Sequence, residues 1–366
     1  MISSLGFTGR IVANAMAVQE RLDLANLQSA SGHKAETYGG YAPRAGTLID
    51  VNAEIARREA YTGVIDSALP RIDTMQTALT RMDALAGDLR QRALTAIGTG
   101  PIDISAMKAE AASALVEIAT LLNTQSGGRY LFAGSDASHP PVPAGQAIAG
   151  DPSGPTLYAD IAARLATLDG TAGNTLDDVW ADITALTADD TAGRTIFSAA
   201  MSAPLPAGIQ DEAPATALVE DGHRITTGLR PPAWKDPAMA AQDPDSTGGW
   251  MRDLVRDLMV LAALPDSMEA DGQRGDLMSR LAASLDRTMT RLNADASALG
   301  AAQSAMEAIR DRHADMVKLL KTQRSTIQDV DLTEVSARLS LLRTQLESSW
   351  ALLGSLDDLS LARFLG

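Results

Sequence analysis

The sequence predicts a mainly α protein. We expect its N- and C-terminal segments to pair as an elongated antiparallel helical bundle or coiled coil, with a smaller α+β or β-containing insert domain between them. Hydrophobic residues make up 45% of the 366 residues and aromatic residues only 4%, so the apolar content is mainly aliphatic and favours helix cores. Near both ends, apolar residues recur in alternating steps of four and three, whereas the middle is rich in Pro, Gly, Thr and Asp.

The first predicted helix carries a seam, by which we mean an apolar stripe that packs along a partner helix. The pattern ends at Ser31 and Gly32, and the two glycines and one proline in 37–43 are unfavourable to a helix. Half of the seam positions are Ala or Ser, so the seam buries little area per turn and needs partner helices. Its positions are Ile11, Ala15, Val18, Leu22, Ala25 and Ser29.

A second helical region is predicted to begin near Leu48. Pro70 lies inside it, and because proline lacks a backbone donor and clashes with the preceding turn, we expect a kink or a break there. The Gly-Thr-Gly-Pro sequence of 98–101 predicts a firm stop or bend. A further helix follows, with one apolar face made of Met107, Ala111, Leu115, Ile118 and Leu122.

The middle of the chain predicts a different kind of structure, with frequent turns. Two short helices are expected over 157–168 and 176–186, and two short strands around the Asp-Gly turn in 217–227. The predicted organisation is therefore an N-terminal helical core segment (1–135), a variable and exposed insert domain (136–249), and a C-terminal helical core segment (250–366) that pairs with the first.

The C-terminal segment has the most regular pattern in the sequence. A seam in steps of four and three over 281–327 predicts a left-handed coiled-coil partner, with Thr288, Asp295, His313 and Gln323 as polar positions and Met316 among the apolar ones. A last helix follows, and Asp331 or Thr333 is expected to cap its start. Its seam is formed by Val335, Leu339, Leu342, Leu346, Ser349, Leu353 and Leu356.

Composition argues against several classes of function. The 31 Lys and Arg residues against 46 Asp and Glu give a net charge of −15, which is unfavourable to nucleic acid and to anionic membranes. There is no cysteine, no HExxH pair and no GxSxG element, so we expect no metal, no cofactor and no enzyme activity. His313 is more consistent with a packed side chain than with a ligand. A helical enzyme or sensor with a ligand-binding insert stays open as an alternative.

Targeting signals are not evident in the sequence. The start MISSLGFTGR lacks a charged region followed by an apolar stretch, and the longest apolar run, 258–264, is too short to span a bilayer. Taken alone, these features predict a cytoplasmic protein.

The sequence LNTQSGGRYLFAGS at 122–135, followed by Pro140 and Pro141, resembles the segment that closes the N-terminal core of the flagellin family, and within it of the hook-associated members. Residues 329–349 resemble its C-terminal helix, and 27–34 resemble the stretch after its first helix. Ser360, Leu361, Phe364 and Leu365 match its apolar ending. The resemblance covers roughly 1–135 and 250–366, and the chain departs from the family's acidic loop at 36–43.

The resemblance implies a structural role in the bacterial flagellum. The expected function is an adaptor joining hook to filament through helical packing, and the alternative is a flagellin that forms the filament itself. The implied partners are a hook-associated protein on the hook side, flagellin on the filament side, further copies in a ring and an export chaperone. The implied location is extracellular, reached by type III export without a cleaved signal peptide.

The residues expected to make subunit contacts come from the two seams and from the resembling segments. For Tyr130 and Phe132, ordinary packing against the bundle is the competing interpretation. The expected contacts are Ile11, Val18, Leu22, Tyr130, Phe132, Leu339, Leu342, Leu346, Leu353, Leu356, Phe364 and Leu365.

Overall fold

A computed structural model describes residues 2–97, 103–134, 137–150, 154–168, 173–197, 214–230, 232, 234–266 and 273–365, with only the backbone described for 2–8 and 355–365. The chain forms two compact units. Unit 1 comprises Met1–Ala60 and Arg312–Gly366, and unit 2 comprises Tyr61–Asp311.

The described residues are mainly helical, which confirms the predicted fold class. The helices are α1 (Ile2–Ser31), α2 (Ala45–Ala96), α3 (Ile104–Leu122), α4 (Gly145–Ile148), α5 (Leu157–Leu165), α6 (Leu176–Ala188), α7 (Pro237–Gln242), α8 (Trp250–Ala262), α9 (Gln273–Gln328) and α10 (Leu332–Leu365). Short 3₁₀ helices cover Tyr38–Tyr41 and Ala166–Leu168. Two antiparallel hairpins pair β1 (Gln125–Ser126) with β2 (Arg129–Tyr130), and β3 (Thr216–Glu220) with β4 (His223–Thr226).

Unit 1 contains two pairs of helices, α1 with α10 and the start of α2 with the end of α9. Contacts around His33 and Asp329 join the two pairs. Helix α1 ends where Gly32 adopts a φ of 73°, a conformation that favours glycine. A short antiparallel bridge then joins His33 to Asp329, and the His33 Nδ1 lies 3.0 Å from the Asp329 carboxylate. The Lys34 ammonium donates to the carbonyls of Thr326 and Ile327 at the end of α9. These contacts fix α1 beside the start of α10, against which it packs.

The buried apolar core of unit 1 is small. One cluster joins Tyr41, Leu48 and Ile327, and another joins Val51, Ile55 and Val317, so the start of α2 runs antiparallel to the end of α9. Clusters of this size stabilise a fold only weakly, because burial of apolar area is the main favourable term.

Unit 2 holds the main core, which gathers residues from α2, α3, α5, α6, α8 and α9. Here too α2 and α9 are antiparallel: Asp83 accepts from Asn293, and Arg90 pairs with Asp286 at 3.0 Å. Helix α8 is buried along its whole length. The predicted face of α3 is buried, and the predicted short helices and Asp-Gly hairpin are present. Unit 2 thus contains the described part of the predicted insert together with helices flanking it.

Two features differ from the sequence predictions. Helix α2 is continuous through the exposed Pro70, so the break that was one of the two expected outcomes does not occur. The seam of α9 also shifts after His313, which is fully buried beside the Arg58 guanidinium at 3.2 Å. The next buried position is Val317, four residues on, whereas Met316 is 38% exposed. Two consecutive steps of four change the seam, as a four-residue insertion does in a coiled coil.

Candidate assembly surface

Large apolar side chains are exposed mainly in unit 1. Every described side chain of this kind lies in unit 1 except Val64, Leu94 and Ile97. An exposed apolar surface that forms a connected patch marks a site of association. The exposed members in unit 1 are Val12, Met16, Leu24, Leu27, Tyr38, Ile49, Met316, Leu319, Leu332, Leu341, Trp350 and Leu352.

The predicted seam residues of α1 and α10 meet each other within the chain. Packing of α1 on α10 buries Ala15 and Ala25 of the α1 seam. The larger predicted contacts are only partly covered. Those half-buried contacts are Ile11, Val18, Leu22, Leu339, Leu346 and Leu353, and Leu342 is buried. The side chains of Leu356, Phe364 and Leu365 lie outside the described part of the structure.

The start of α10 is fixed by its cap. The Asp331 carboxylate accepts from the backbone N–H groups of Thr333 at 2.8 Å and Glu334 at 3.3 Å. These bonds lower the pKa of Asp331, because they favour the charged carboxylate. Of the two predicted candidates, Asp331 is thus the one that caps the helix.

The two predicted aromatic contacts are placed in unit 2. Tyr130 lies half-buried at the end of the β1–β2 hairpin, and its N–H donates to the Ala137 carbonyl at 2.9 Å. Phe132 is 1% exposed and belongs to the main core. Phe132 therefore packs into the core of its own chain, as the competing interpretation expects.

Sequence reasoning missed a buried cluster of charges on α8. It comprises Arg252, Asp253, Arg256 and Asp257, each no more than 3% exposed. The Arg256 guanidinium donates to Asp257 at 2.9 Å and stacks over the Trp180 ring, 4.8 Å from its centroid. The signal was available, because two Arg-Asp pairs with the i, i+4 spacing of a helix directly precede the apolar run at 258–264.

The same cluster ties α8 to its neighbours in unit 2. Asp253 accepts from the backbone N–H of Thr247 at 2.8 Å, and Arg256 also donates to Ser284 of α9 at 2.6 Å. Burial raises the pKa of Asp257 to about 6, although Arg256 and Ser284 act in the opposite direction. These bonds end on protein groups and hold α8 in place, while the Asp257 Oδ2 is buried with no hydrogen-bond partner among the described residues.

A cavity of about 490 Å³ lies in unit 2, between the β3–β4 region and α9. Its walls include Trp234 and Trp250. The Arg230 guanidinium covers the Trp234 ring at 4.1 Å, and the Trp250 indole N–H donates to Asp295 at 2.7 Å. The Arg230 guanidinium and the Trp250 indole N–H therefore both contact other side chains that line the cavity.

Metal sites and membrane spans are both lacking among the described residues. Among them, no group of three or more His, Cys, Asp or Glu is arranged to hold a metal ion. In the same part of the chain, no helix combines the length and the hydropathy that crossing a bilayer requires.

Comparison with known proteins gives a family match and likenesses to solved structures. Residues 282–365 match the family described as the bacterial flagellin C-terminal helical region, so the chain carries a flagellin-type segment over most of α9 and all of α10. A solved structure assigned as a flagellar hook-associated protein from Vibrio parahaemolyticus is 10% identical, with a TM-score of 0.49 over 78% of this chain and 97% of that one. No curated protein sequence matches the chain.

Proposed function

We propose that this protein is a structural, non-enzymatic subunit of the bacterial flagellum that joins hook to filament, in the role of hook-associated protein 3. The observation that carries the proposal is the exposed apolar surface of unit 1, which includes α10 and therefore much of the segment of flagellin type. The resemblance of 27–34 and 122–135 to the N-terminal core of the same family supports it from the other end of the chain.

The mechanism is assembly through helices that are incompletely covered in the single chain. The seam between α1 and α10 leaves Ile11, Leu22 and Leu346 partly exposed, and the clusters behind it are small. Neighbouring subunits would supply the missing burial, at roughly 25 cal/mol for each Å² of apolar area removed from water. The predicted contacts other than the buried Phe132 are proposed to act in this assembly, and 136–249 is proposed as the variable, exposed part.

The partners follow from this role. A hook-associated protein is proposed on the hook side, flagellin on the filament side and further copies in a ring, with an export chaperone that covers α10 before assembly. The proposed location is the extracellular flagellum, reached by type III export. The absence of cysteine suits such a route, because stray disulfides cannot form outside the cell.

The test is deletion of 332–366 in the cell that makes the protein. We expect hooks that carry no filaments, with flagellin released into the medium, and the full-length gene should restore the filaments. A pair of point variants refines the result: Leu342→Glu places a charge at a buried seam position, whereas Ser340→Glu places the same charge at an exposed one. Filaments of normal length after the deletion would refute the adaptor role.

The alternative, a flagellin that forms the filament, is favoured by the same C-terminal match. It predicts that the purified protein polymerises by itself into long filaments visible by negative-stain microscopy. An adaptor is expected to stop at short assemblies, because its contacts with hook and filament proteins differ from its contacts with itself.

A further inference from the structure

The cavity of unit 2 has walls that are mainly apolar. Helix α9 contributes Ala294, Ala298 and Ala302 to the lining, and because these residues are four apart they lie on one face of the helix. Their small side chains leave space beside the indole rings of Trp234 and Trp250, which also line the cavity. A volume of about 490 Å³ lies within the roughly 300–1,000 Å³ of small-molecule sites, which are typically apolar with a few polar groups.

The wall that carries Trp234 is fixed by close contacts between backbones. The Asp236 N–H donates to the Gly248 carbonyl at 3.1 Å. A Cβ atom at Gly248 would overlap the Asp236 carbonyl, and one at Gly249 would overlap the Trp234 carbonyl. Because glycine alone allows this approach, the Trp234 segment lies directly against the residues that precede α8. The fold itself therefore forms the cavity.

Asp295 brings a partly buried carboxylate to the cavity. The Trp250 indole N–H donates to its Oδ2 at 2.7 Å, and no donor among the described residues is bonded to its Oδ1. Burial raises the pKa of Asp295, while the Trp250 hydrogen bond and the charge of Arg230 act in the opposite direction. A carboxylate that has lost part of its water is stabilised by a cation placed beside it.

Two further charged side chains line the cavity, and both have partners within the protein. The Asp236 carboxylate caps α7, where it accepts from the backbone N–H of Ala238 at 2.9 Å. The Arg291 guanidinium donates to the Ser246 hydroxyl at 2.7 Å. Asp295 is thus the charged group that a ligand can pair with most readily.

Charge favours a cation over an anion at this site. Unit 2 contains 18 Lys and Arg residues and 33 Asp and Glu residues, so the net charge of −15 lies in this unit and attracts cations. The Arg230 guanidinium lies 4.1 Å from the centre of the Trp234 ring, so an indole of this wall already accommodates a positive charge. Arg230 also repels a ligand cation, and its charge should therefore lower the affinity without closing the site.

We propose that this cavity binds a small organic cation, whose ammonium group meets Asp295 and whose aryl or alkyl body packs on Trp250 and the alanines of α9. A charge-assisted hydrogen bond to the carboxylate gives the site its preference for a cation, and the apolar walls supply the remaining contacts. The proposal goes beyond the assembly role and does not depend on it, because every described residue of the lining belongs to unit 2.

The test is titration of the full-length chain with three probes of similar shape, followed through the NMR signals of its indole N–H groups. The probes are phenethylammonium chloride, the neutral phenethyl alcohol and the anionic hydrocinnamate. The chain has four tryptophans, and the signal of Trp250 is identified by its loss in Trp250→Phe. We expect the cation to shift the Trp250 signal to saturation and to bind at least roughly tenfold more tightly than the alcohol, whereas hydrocinnamate leaves the signal in place.

Four variants separate the effect of charge from the effect of space. Asp295→Asn keeps an oxygen for the Trp250 N–H but removes the charge, and it should weaken binding of the cation roughly tenfold. Arg230→Gln removes the repulsion and should strengthen it roughly threefold. Ala298→Leu fills the cavity and should abolish binding, whereas Ala301→Leu, at an exposed position of α9 outside the lining, should bind like the wild type. Circular dichroism checks that each variant is folded.

Three results would overturn the inference. Binding of hydrocinnamate that weakens in Arg230→Gln would make this a site for acids. Equal binding of all three probes, or unchanged binding of the cation in Asp295→Asn, would show that the cavity does not select for charge. A wild type whose Trp250 signal responds to none of the probes would show that the cavity takes no ligand of this class. The proposed function is judged separately, because the deletion of 332–366 removes no residue of the cavity.

Discussion

At the scale of single residues, the buried charges of α8 are the least expected feature of unit 2. Arg256 is fully buried and pairs with Asp257 at 2.9 Å, and it is also bonded to Ser284. A buried ion pair contributes little net stability, because the cost of removing both charges from water offsets their attraction. Its hydrogen bonds have preferred directions, so they fix the orientation of α8 against α9. Apolar contacts have no such preference and fix the orientation less strictly.

The first prediction concerns the replacement of Asp257 by Asn. Burial raises the pKa of Asp257 to about 6, above its ordinary value of 3.8, so between these values the folded chain binds a proton that the unfolded chain does not. The free energy of unfolding should therefore fall as pH rises through this window, by on the order of 2–3 kcal/mol. In Asp257→Asn this contribution is absent. Urea unfolding followed by tryptophan fluorescence at pH 4 to 7 (roughly one point per half unit) measures the difference between wild type and variant.

The control for that prediction is Asp73→Asn, which changes an exposed aspartate of α2 in the same unit. The difference in free energy of unfolding between Asp73→Asn and the wild type should change less with pH than the difference for Asp257→Asn. A pH-independent difference for Asp257→Asn would show that Asp257 stays ionised throughout the range and that the ion pair with Arg256 outweighs burial.

At the residue scale, the sequence predicted the buried positions correctly wherever the periodic pattern continued. The α9 seam is buried at Leu281, Leu292 and Met306, as predicted. It fails beyond His313, where the sequence offers two adjacent apolar residues, Met316 and Val317, and the period alone favours the wrong one. The choice depends on how the buried His313 packs beside Arg58, a contact between residues 255 positions apart that no local pattern contains.

At the scale of elements, α2 shows that packing overrides a local helix breaker. It runs for 52 residues through Pro70, flanked by the fully buried Ile65 and Ile72. Proline in a helix interior costs about 3 kcal/mol, because its nitrogen has no hydrogen to donate. The burial of the apolar face on both sides exceeds that cost. The buried faces of helices were thus predictable from the sequence, whereas continuity across Pro70 was not.

The second prediction is that Pro70→Ala stabilises unit 2. Restoring the backbone donor on an exposed face should raise the free energy of unfolding by about 1–3 kcal/mol. Gly63→Ala is the matched comparison in the same helix, because a methyl group at Gly63 meets nothing within 4 Å. It should gain less, about 1 kcal/mol, since only backbone entropy changes. Thermal unfolding by circular dichroism measures both. A lower melting temperature for Pro70→Ala would show that the packing of α2 depends on the proline.

At the scale of the whole molecule, burial and charge are divided in the same way. Unit 1 contains 13 Lys and Arg and 13 Asp and Glu, so the whole net charge of −15 belongs to unit 2, which also has the large core. Unit 1 has two clusters of three buried residues and most of the exposed apolar side chains. The sequence indicated the lean seam through its Ala and Ser positions. It did not indicate the boundaries near residues 60 and 312, because α2 and α9 pass through them without a break and only long-range contacts define them.

The third prediction follows from this division and concerns amide hydrogen exchange of the single chain at low salt. Amides in α1 and the first half of α10 should exchange roughly a hundredfold faster than those in α3 and α8, because local opening of unit 1 exposes little buried apolar area. Helix α8 should exchange slowest, since it is buried along its whole length. When copies of the chain associate, protection should increase in α1 and α10 while unit 2 stays unchanged. Mass spectrometry of proteolytic peptides resolves these helices. Equal protection in α1 and α3 at low salt would mean that the small clusters of unit 1 hold it as firmly as the main core holds unit 2, and that assembly is not needed to complete its fold.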